Sequence, residues 1–294
     1  MILNVSSRTD IIAFYTPWFI NRLKEGFVDV RNPFYKYNVS RIYFSDVDAF
    51  VFCTKNPMPI LPYLHLLKKP ILFHVTLTPY DRKVEPNVPK KSQVIASIKK
   101  LSTVLGKENI YVRYDPIFIN DTYTVNYHIK VFAKLMEHLD GYVSHVIVSF
   151  LDNYKNVQKN ISVLKPKKIT DDMYREIGLN FSKVAKEHNI TVQTCCEEHN
   201  LIEYGFKKED CISATLAYKL TGKTNFKYWK ARGRNCKCIE MVDIGAYNSC
   251  RHYCKYCYAN YNEEEINKNV LEHDINSSLL LGHLRSVDKI VVRK

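Results

Sequence analysis

The sequence predicts an α/β protein, a partial (βα)6 TIM-like barrel whose carboxyl-end mouth is capped by a Cys-rich C-terminal segment. Six short apolar segments alternate with amphipathic helical patterns up to about residue 194, which is typical of parallel strands joined by crossover helices. The repeat stops there, whereas a complete eight-unit barrel needs roughly 250 residues. An open doubly wound sheet is the alternative that the same pattern allows.

The strand-like segments are mostly continuous apolar runs, as expected of strands that are buried on both faces. In chain order they are Ile2–Ser6, Ala49–Thr54, Ile71–Thr78, Ile110–Tyr114, His145–Phe150 and Thr191–Thr194. Among the helices between them, one has Pro17 in its first turn and another is capped by Ser92 and ended by Gly106. We expect one integrated domain, with the barrel in residues 1–194, a cluster-binding segment in 195–262, and a C-terminal tail or helix in 263–294.

Composition limits the class of protein. Of 294 residues, 46% are hydrophobic and 25% are charged, so the chain can bury a sizeable core. No apolar run approaches the roughly 18 residues of a membrane-spanning helix, and the first residues do not resemble a secretory signal. We therefore expect a soluble, cytoplasmic protein without a membrane partner.

The net charge of +13 favours anionic partners, although a lysine-rich coding bias explains it equally well. Basic residues are spread along the chain. No stripe of the sequence interleaves them with aromatic residues, as a groove for single-stranded nucleic acid would.

Polar residues follow the predicted strands at their carboxyl ends, where the functional side chains of parallel sheets gather. Each could cap a helix or a turn, but a buried charge needs a partner or a task. We expect the following residues to line the barrel mouth as catalytic groups: Arg8, Asp10, Lys55, Arg113, Asp115 and Glu197. Asn56 and Ser149, at two of the same strand ends, are candidates for cofactor binding.

Nine cysteines are present, and eight of them lie between residues 195 and 257. Clustered thiols in a reducing compartment indicate metal ligands or redox groups rather than disulfides. The sharpest motif is the run Cys250-Arg251-His252-Tyr253-Cys254-Lys255-Tyr256-Cys257. Three thiolates at this spacing suit a four-iron cluster that keeps one open iron. Zinc remains an alternative, although it usually takes four ligands in paired C-x2-C units.

This motif resembles the signature of the radical S-adenosylmethionine (SAM) superfamily, which has three cysteines with an aromatic residue before the last. The resemblance implies that Cys250, Cys254 and Cys257 hold a 4Fe-4S cluster, that Tyr256 flanks the adenine of bound SAM, and that an external flavodoxin- or ferredoxin-like protein donates the electron. Two features depart from the superfamily. The motif lies near the C terminus instead of after the first strand, and no Gly-Gly-Glu-like segment follows it.

Nearly the whole chain also resembles a bacterial and archaeal family that is defined only as a domain of unknown function. The resemblance rests on five segments: Ser7–Asp10, Thr54–Pro57, Arg113–Pro116, Ile244–Asn248 and Cys254–Asn260. It supports the cysteines as a defining feature and implies no substrate.

A second set of cysteines consists of Cys195 (or Cys196), Cys211, Cys236 and Cys238. Four thiolates are the ligand count of a closed four-iron cluster or of a structural zinc. We expect an auxiliary iron–sulfur cluster ahead of zinc. Cys53, within an apolar strand, is interpreted as a small buried hydrophobe.

The sequence therefore predicts a radical SAM-type enzyme that acts on an anionic substrate, such as a nucleotide, a nucleic acid or a phosphorylated molecule. Two alternatives stay open. One is a zinc-stabilised protein that binds nucleic acid or serves as a scaffold without redox chemistry. The other is a barrel enzyme for a phosphorylated metabolite, with cysteines that are only structural.

Overall fold

The computed structural model describes residues 1–229 and 236–294. A seven-stranded parallel sheet forms its centre, in the spatial order β8-β7-β6-β5-β4-β1-β9. Its strands are β1 (Ile2–Asn4), β4 (Ala49–Thr54), β5 (Ile71–Thr76), β6 (Ile110–Ile117), β7 (His145–Phe150), β8 (Thr191–Thr194) and β9 (Met241–Asp243). The predicted α/β class is confirmed, and all six predicted strands are present in this sheet.

A smaller sheet has the order β10-β3-β2, from β2 (Phe27–Arg31), β3 (Asn38–Tyr43) and β10 (Lys289–Val292). The sequence analysis predicted none of these three strands. Strands β2 and β3 form an antiparallel hairpin, and β10 pairs with β3 in parallel.

The helices are α1 (Ile11–Phe14), α2 (Thr16–Glu25), α3 (Lys91–Leu105), α4 (Val125–Leu139), α5 (Lys155–Lys159), α6 (Ile161–Leu164), α7 (Asp171–Glu187), α8 (Ala214–Thr221) and α9 (Glu263–Leu271). Pro17 lies in the first turn of α2, and Gly106 follows α3, as predicted. The predicted cap of α3 at Ser92 is wrong, because the helix begins at Lys91 and Ser92 lies in its first turn. Gly26 ends α2 at a φ of 83°, a conformation that costs glycine little. No helix in the described part of the chain is long and apolar enough to cross a membrane.

The two faces of the central sheet bury different partners, because successive side chains of a strand point to opposite faces. One face, which we call the outer face, packs on α2, α3, α4 and α7 through residues such as Phe52, Phe73 and Val112. The other, the inner face, contributes residues such as Val51, Leu72 and Ile147 to a second apolar cluster with α8 and Ile239. Polar residues and cysteines continue the inner face toward the carboxyl ends of the strands.

Strand β9 brings the cysteine motif to this end of the sheet. It pairs with β1, and the chain then passes close to the residues that follow β1. At Gly245 a Cβ atom would lie 3.0 Å from the backbone nitrogen of Thr9, so this approach leaves little room for a side chain. The loop that holds Cys250, Cys254 and Cys257 follows directly.

Candidate functional site

A cavity of about 400 Å³ lies on the inner face, at the carboxyl ends of the parallel strands. Many of the residues singled out from the sequence line it: Asp10, Lys55, Arg113, Asp115, Ser149, Tyr256, Cys195, Cys211, Cys250, Cys254 and Cys257. Arg8, Asn56, Glu197, Cys236 and Cys238 were singled out as well and do not line this cavity. The volume of the cavity is within the range of small-molecule binding sites.

The loop that carries the three cysteines is anchored by two buried asparagines. Asn260 accepts hydrogen bonds from the backbone nitrogens of Ser249 and Cys250, both at 2.8 Å, and its amide nitrogen lies 3.6 Å from the Cys257 sulfur. Asn156 donates to the carbonyl of Cys257 at 2.7 Å. The loop is therefore positioned by side chains as well as by its own turns. Asn260 belongs to the Cys254–Asn260 segment, but its role was not predicted.

Segment 84–87 holds the same loop from the other side. The backbone nitrogen of Lys255 donates to the carbonyl of Val84 at 3.0 Å, and the Asn87 amide donates to the carbonyl of Arg251 at 2.8 Å. Between these contacts lies Glu85, whose side chain is 1% exposed.

Glu85 is the centre of a buried network that sequence reasoning missed. One carboxylate oxygen accepts from Thr78 at 2.5 Å, from Lys55 at 2.9 Å and from the hydroxyl of Tyr256. The other oxygen pairs with Lys91 at 2.5 Å. Because two lysines and two hydroxyls surround it, the buried carboxylate is well compensated. A lone Glu before a proline gives no signal of this role in the sequence.

Asp10 also has a structural task in addition to its place in the cavity wall. One of its oxygens accepts from the Ala13 nitrogen at 2.9 Å and so caps α1. The other accepts from the Lys55 nitrogen at 2.8 Å and lies 2.9 Å from Nε2 of His252, which is in the cysteine loop. Asp10 thus joins the ends of two strands to that loop.

The remaining charged candidates each have a partner within the protein. Arg113 and Asp115 form an ion pair in the cavity wall at 2.5 Å. Arg8 pairs with Asp243 at 2.5 Å and lines a neighbouring cavity instead. The Glu197 carboxylate accepts from the Phe150 nitrogen at 2.9 Å.

The two strand-end candidates for cofactor binding, Asn56 and Ser149, differ in position. Ser149 lines the cavity, and its hydroxyl is 3.5 Å from Asp115, which is long for a hydrogen bond. Asn56 uses its side-chain oxygen to accept from the Met58 nitrogen at 3.2 Å, outside the cavity wall.

The second set of cysteines belongs to the apolar cluster of the inner face, and two of its members, Cys195 and Cys211, also line the cavity. The sulfur of Cys211 is 3.7 Å from that of Cys195 and 3.3 Å from that of Cys238. Cys236 packs on the same cluster. Cys195, which the sequence could not separate from Cys196, contacts Cys211 through its sulfur. Cys53 lines the cavity as a free thiol, and burial raises its pKa to about 12.

Burial also raises the pKa of Cys250 and Cys254 above the ordinary thiol value. The positive charge of Lys55 opposes this shift at Cys254. Both thiols are therefore protonated at neutral pH in the free protein, and a metal that binds them must displace their protons. Within residues 1–229 and 236–294, no three Cys, His, Asp or Glu side chains already form a group that could hold a metal ion.

Two buried polar atoms in the cavity wall lack hydrogen-bond partners among the described residues. They are Oδ1 of Asn4 and Nε2 of His74. Leaving such an atom unsatisfied costs about 1–3 kcal/mol. A polar ligand in the cavity would remove this cost, which marks the cavity as the candidate functional site.

No curated protein matches the chain in sequence. The family described as "Domain of unknown function (DUF1848)" matches residues 2–259, which is most of the chain. The protein therefore belongs to the DUF1848 family.

Proposed function

We propose that the protein is a radical SAM-type enzyme that uses a 4Fe-4S cluster held by Cys250, Cys254 and Cys257. The observation that carries the proposal is that all three thiols line one cavity at the carboxyl ends of parallel strands. Three thiolates leave one iron of such a cluster without a protein ligand. When bound, the cluster would hold SAM by its amino and carboxylate groups and supply the electron that cleaves it to a 5′-deoxyadenosyl radical.

The central sheet supports a partial (βα)6 barrel as the scaffold. Each strand from β1 through β4, β5, β6 and β7 to β8 lies beside the one before it, and β9 returns to the free side of β1. Between β8 and β9, Lys207 bridges to Gln193, and Ile239 donates to the carbonyl of Ile212 at 3.1 Å. Helices α2, α3, α4 and α7 cover one face. A wall that curves round to its first strand, with these helices outside, accounts for all of these contacts.

The residues around the three thiols suit this chemistry. Lys55 places a positive charge near Cys254, which favours the thiolate form that a metal requires. Asn260 donates toward the Cys257 sulfur, an interaction of the kind that tunes cluster potentials. Asn4 and His74 offer unused polar atoms for the polar parts of SAM or substrate. Arg113 and Asp115 are candidates to orient the substrate and move protons.

The second set of cysteines is proposed to hold an auxiliary iron–sulfur cluster, with Cys195, Cys211, Cys236 and Cys238 as ligands. The Cys211 sulfur contacts those of Cys195 and Cys238, and Cys236 packs on the same apolar cluster. The same spacing also favours a second candidate, zinc. Tetrahedral Zn–S bonds of about 2.3 Å place sulfurs about 3.8 Å apart. The distance of 3.7 Å between Cys195 and Cys211 is close to this value, whereas the 3.3 Å between Cys211 and Cys238 is shorter.

The remaining parts of the proposal rest on the sequence. The net charge of +13 supports an anionic substrate and an acidic electron donor of the flavodoxin or ferredoxin type. The concentration of free thiols supports a reducing, cytoplasmic location.

Anaerobic reconstitution with iron and sulfide tests the proposal. We expect a brown protein with thiolate-to-iron charge-transfer absorbance that bleaches on reduction, and 5′-deoxyadenosine as a product when SAM and a reductant are added. Cys254→Ser should abolish 5′-deoxyadenosine formation. Cys53→Ser, which changes a thiol of the same cavity outside both ligand sets, should leave it intact.

Two results would overturn the proposal. A colourless protein with stoichiometric zinc would favour the nucleic-acid-binding or scaffold alternative. A protein that turns over a phosphorylated metabolite equally well after Cys254→Ser would favour the barrel enzyme with structural cysteines.

A further inference from the structure

Three large aromatic side chains stand in solvent at the tip of the β2–β3 hairpin. Phe34 is 82% exposed, Tyr35 68% and Tyr37 59%. Single exposed apolar side chains are common on protein surfaces, but contiguous ones mark interaction sites. We call residues 32–37 the aromatic hairpin.

The aromatic hairpin has a fixed backbone. Asn32 accepts hydrogen bonds through its side chain from the nitrogens of Phe34 at 2.9 Å and Tyr35 at 3.0 Å. The Asn32 nitrogen also donates to the carbonyl of Asn38 at 2.9 Å, and the Asn38 nitrogen donates to the carbonyl of Tyr35 at 2.8 Å. The rings are therefore presented on an ordered turn, so binding a partner costs little ordering.

Positive charge surrounds these rings, and it comes from two distant parts of the chain. Residues 31–37 contribute Arg31 and Lys36, and residues 283–289 contribute Arg285 and Lys289. Asp288 is the one carboxylate in these two segments, and it is shared by Arg31 at 2.6 Å and Arg285 at 2.9 Å. The two segments together thus carry four cations and one carboxylate. The guanidinium of Arg285 lies 5.3 Å from the centre of the Tyr37 ring.

A cavity of about 550 Å³ opens beside the aromatic hairpin. Arg8, Arg31, Lys36, Arg285 and Tyr247 line it, together with Glu272 and with Asp29, whose carboxylate is held by Arg41 at 2.8 Å. The space is large enough for a nucleobase or a sugar-phosphate unit. A concave, cationic wall of this kind suits a flexible chain that can enter it, and a flat lipid surface would leave it unfilled.

We propose that the aromatic hairpin, residues 283–289 and the adjoining cavity form a binding surface for single-stranded nucleic acid. Bases would stack on the exposed rings and phosphates would contact the cations, which is how sequence-tolerant strand binding works. The surface leads toward the candidate active site, because Ser7 and Thr9, which flank Arg8, line the central cavity. The inference rests on the proposed function only for the chemistry that would follow binding.

This surface is not visible as a stripe in the sequence. Of its four cations, Lys36 is the one that lies between aromatic residues in the sequence, whereas Arg285 and Lys289 are brought to it through the pairing of β10 with β3. The surface exists because the fold joins two segments about 250 residues apart.

Fluorescence anisotropy of the full-length protein with labelled oligo-dT and oligo-U, each of about 15 nucleotides, tests the inference. We expect binding that weakens at least about 10-fold between about 50 and 200 mM salt, because phosphates release counterions. The triple change Phe34→Ala, Tyr35→Ala and Tyr37→Ala should weaken binding at least about 10-fold, since each stacked base contributes about 1–3 kcal/mol. Tyr218→Ala, at an exposed tyrosine of α8, is the matched control and should have no effect.

A milder variant guards against a folding defect. Lys36→Gln keeps all three rings and should reduce the slope of log affinity against log salt by about 1. Cys254→Ser should bind like the wild type, which separates this inference from the cluster chemistry. Undetectable strand binding by a protein that still forms the cluster would overturn the inference alone.

Equal affinity of the triple variant would overturn it as well. So would a triple variant that loses binding to anionic phosphatidylserine vesicles, or loses self-association, while its strand binding is unaffected.

Discussion

Two buried histidines on opposite faces of the central sheet have opposite surroundings. His128, on α4 at the outer face, is fully buried with Nδ1 2.9 Å from the Tyr114 hydroxyl and Nε2 3.0 Å from the Phe118 carbonyl. His74, on β5 at the inner face, is 2% exposed and stacks on Tyr111, yet its Nε2 has no partner among the described residues.

The two histidines differ in whether the protein itself satisfies their hydrogen-bonding groups. The carbonyl of Phe118 can only accept, so Nε2 of His128 carries the proton and Nδ1 accepts from Tyr114. That ring is satisfied by the protein alone. In contrast, Nε2 of His74 lies in the cavity wall without a hydrogen-bond partner among the described residues, and so does Oδ1 of Asn4 on β1. On the outer side, Arg22 of α2 and His188 at the end of α7 also have buried polar atoms without a hydrogen-bond partner in the described part of the chain, but they do not line the central cavity, where a ligand could satisfy His74 and Asn4.

The largest expected effect is that of replacing Glu85, a buried carboxylate whose hydrogen-bond partners are all side chains of the protein. In Glu85→Gln the shape is kept, but Lys55 and Lys91 lose their counter-charge in a buried setting. Breaking a buried ion pair from one side costs about 3 kcal/mol or more. We expect the free energy of unfolding, measured with urea, to fall by that amount, and cluster incorporation to fall with it because Tyr256 and Lys55 are released.

Glu263→Gln is the matched control for this change. Glu263 pairs with Lys255 at 2.7 Å, but its side chain is 64% exposed, and exposed pairs contribute at most about 1 kcal/mol. Equal, small losses for both variants would show that Glu85 does not anchor the cysteine loop.

The comparison of faces also explains how much of the fold the sequence could predict. All six predicted strands are correct, with Ala49–Thr54, His145–Phe150 and Thr191–Thr194 matching to the residue. Continuous burial on both faces gives such strands a strong signal. The hairpin of β2 and β3 was missed because polar and charged residues interrupt both strands, so neither is a continuous apolar run, and β10 was missed because all four of its residues are exposed.

The candidate site was predictable in part for a related reason. Cysteines and strand-end charges are visible in the sequence because few structural tasks require them, and most of them line the cavity. Two of the side chains that hold them, Glu85 and Asn156, are common polar residues on distant segments. Their role depends on long-range contacts that no local pattern encodes. The same holds for Arg8, whose pairing with Asp243 turns it away from the central cavity.

A second prediction sharpens the comparison through pH. Burial lowers the pKa of His128 to about 4, against about 6.5 in the unfolded chain. As pH falls from 6.5 toward 4, the unfolded chain binds a proton that the folded protein does not, so stability decreases as pH falls. This group alone should lower the free energy of unfolding by about 2 kcal/mol between pH 7 and pH 5.

Urea unfolding of the wild type and of His128→Phe at a series of pH values measures this contribution. The variant should lose about 2 kcal/mol less than the wild type over the same interval. His138→Gln, which changes an exposed histidine of the same helix, should keep the wild-type slope. Parallel slopes for the wild type and His128→Phe would mean that the outer histidine is not held neutral.

The smallest effect, that of His74→Phe, gives the most direct test of the two faces, because its sign is expected to differ from that of His128→Phe. His128→Phe leaves the Tyr114 hydroxyl and the Phe118 carbonyl without a partner and should lower the free energy of unfolding at pH 7 by about 1–3 kcal/mol. His74→Phe removes a polar atom that has no partner and keeps a ring against Tyr111, so stability should stay the same or rise by up to about 1 kcal/mol. SAM binding by the reconstituted protein, measured by calorimetry, should weaken in His74→Phe and persist in His128→Phe. If His74→Phe destabilised the protein as much as His128→Phe, the inner histidine would have a partner in the free protein, and the cavity would lose one of the two unsatisfied atoms that mark it as a ligand site.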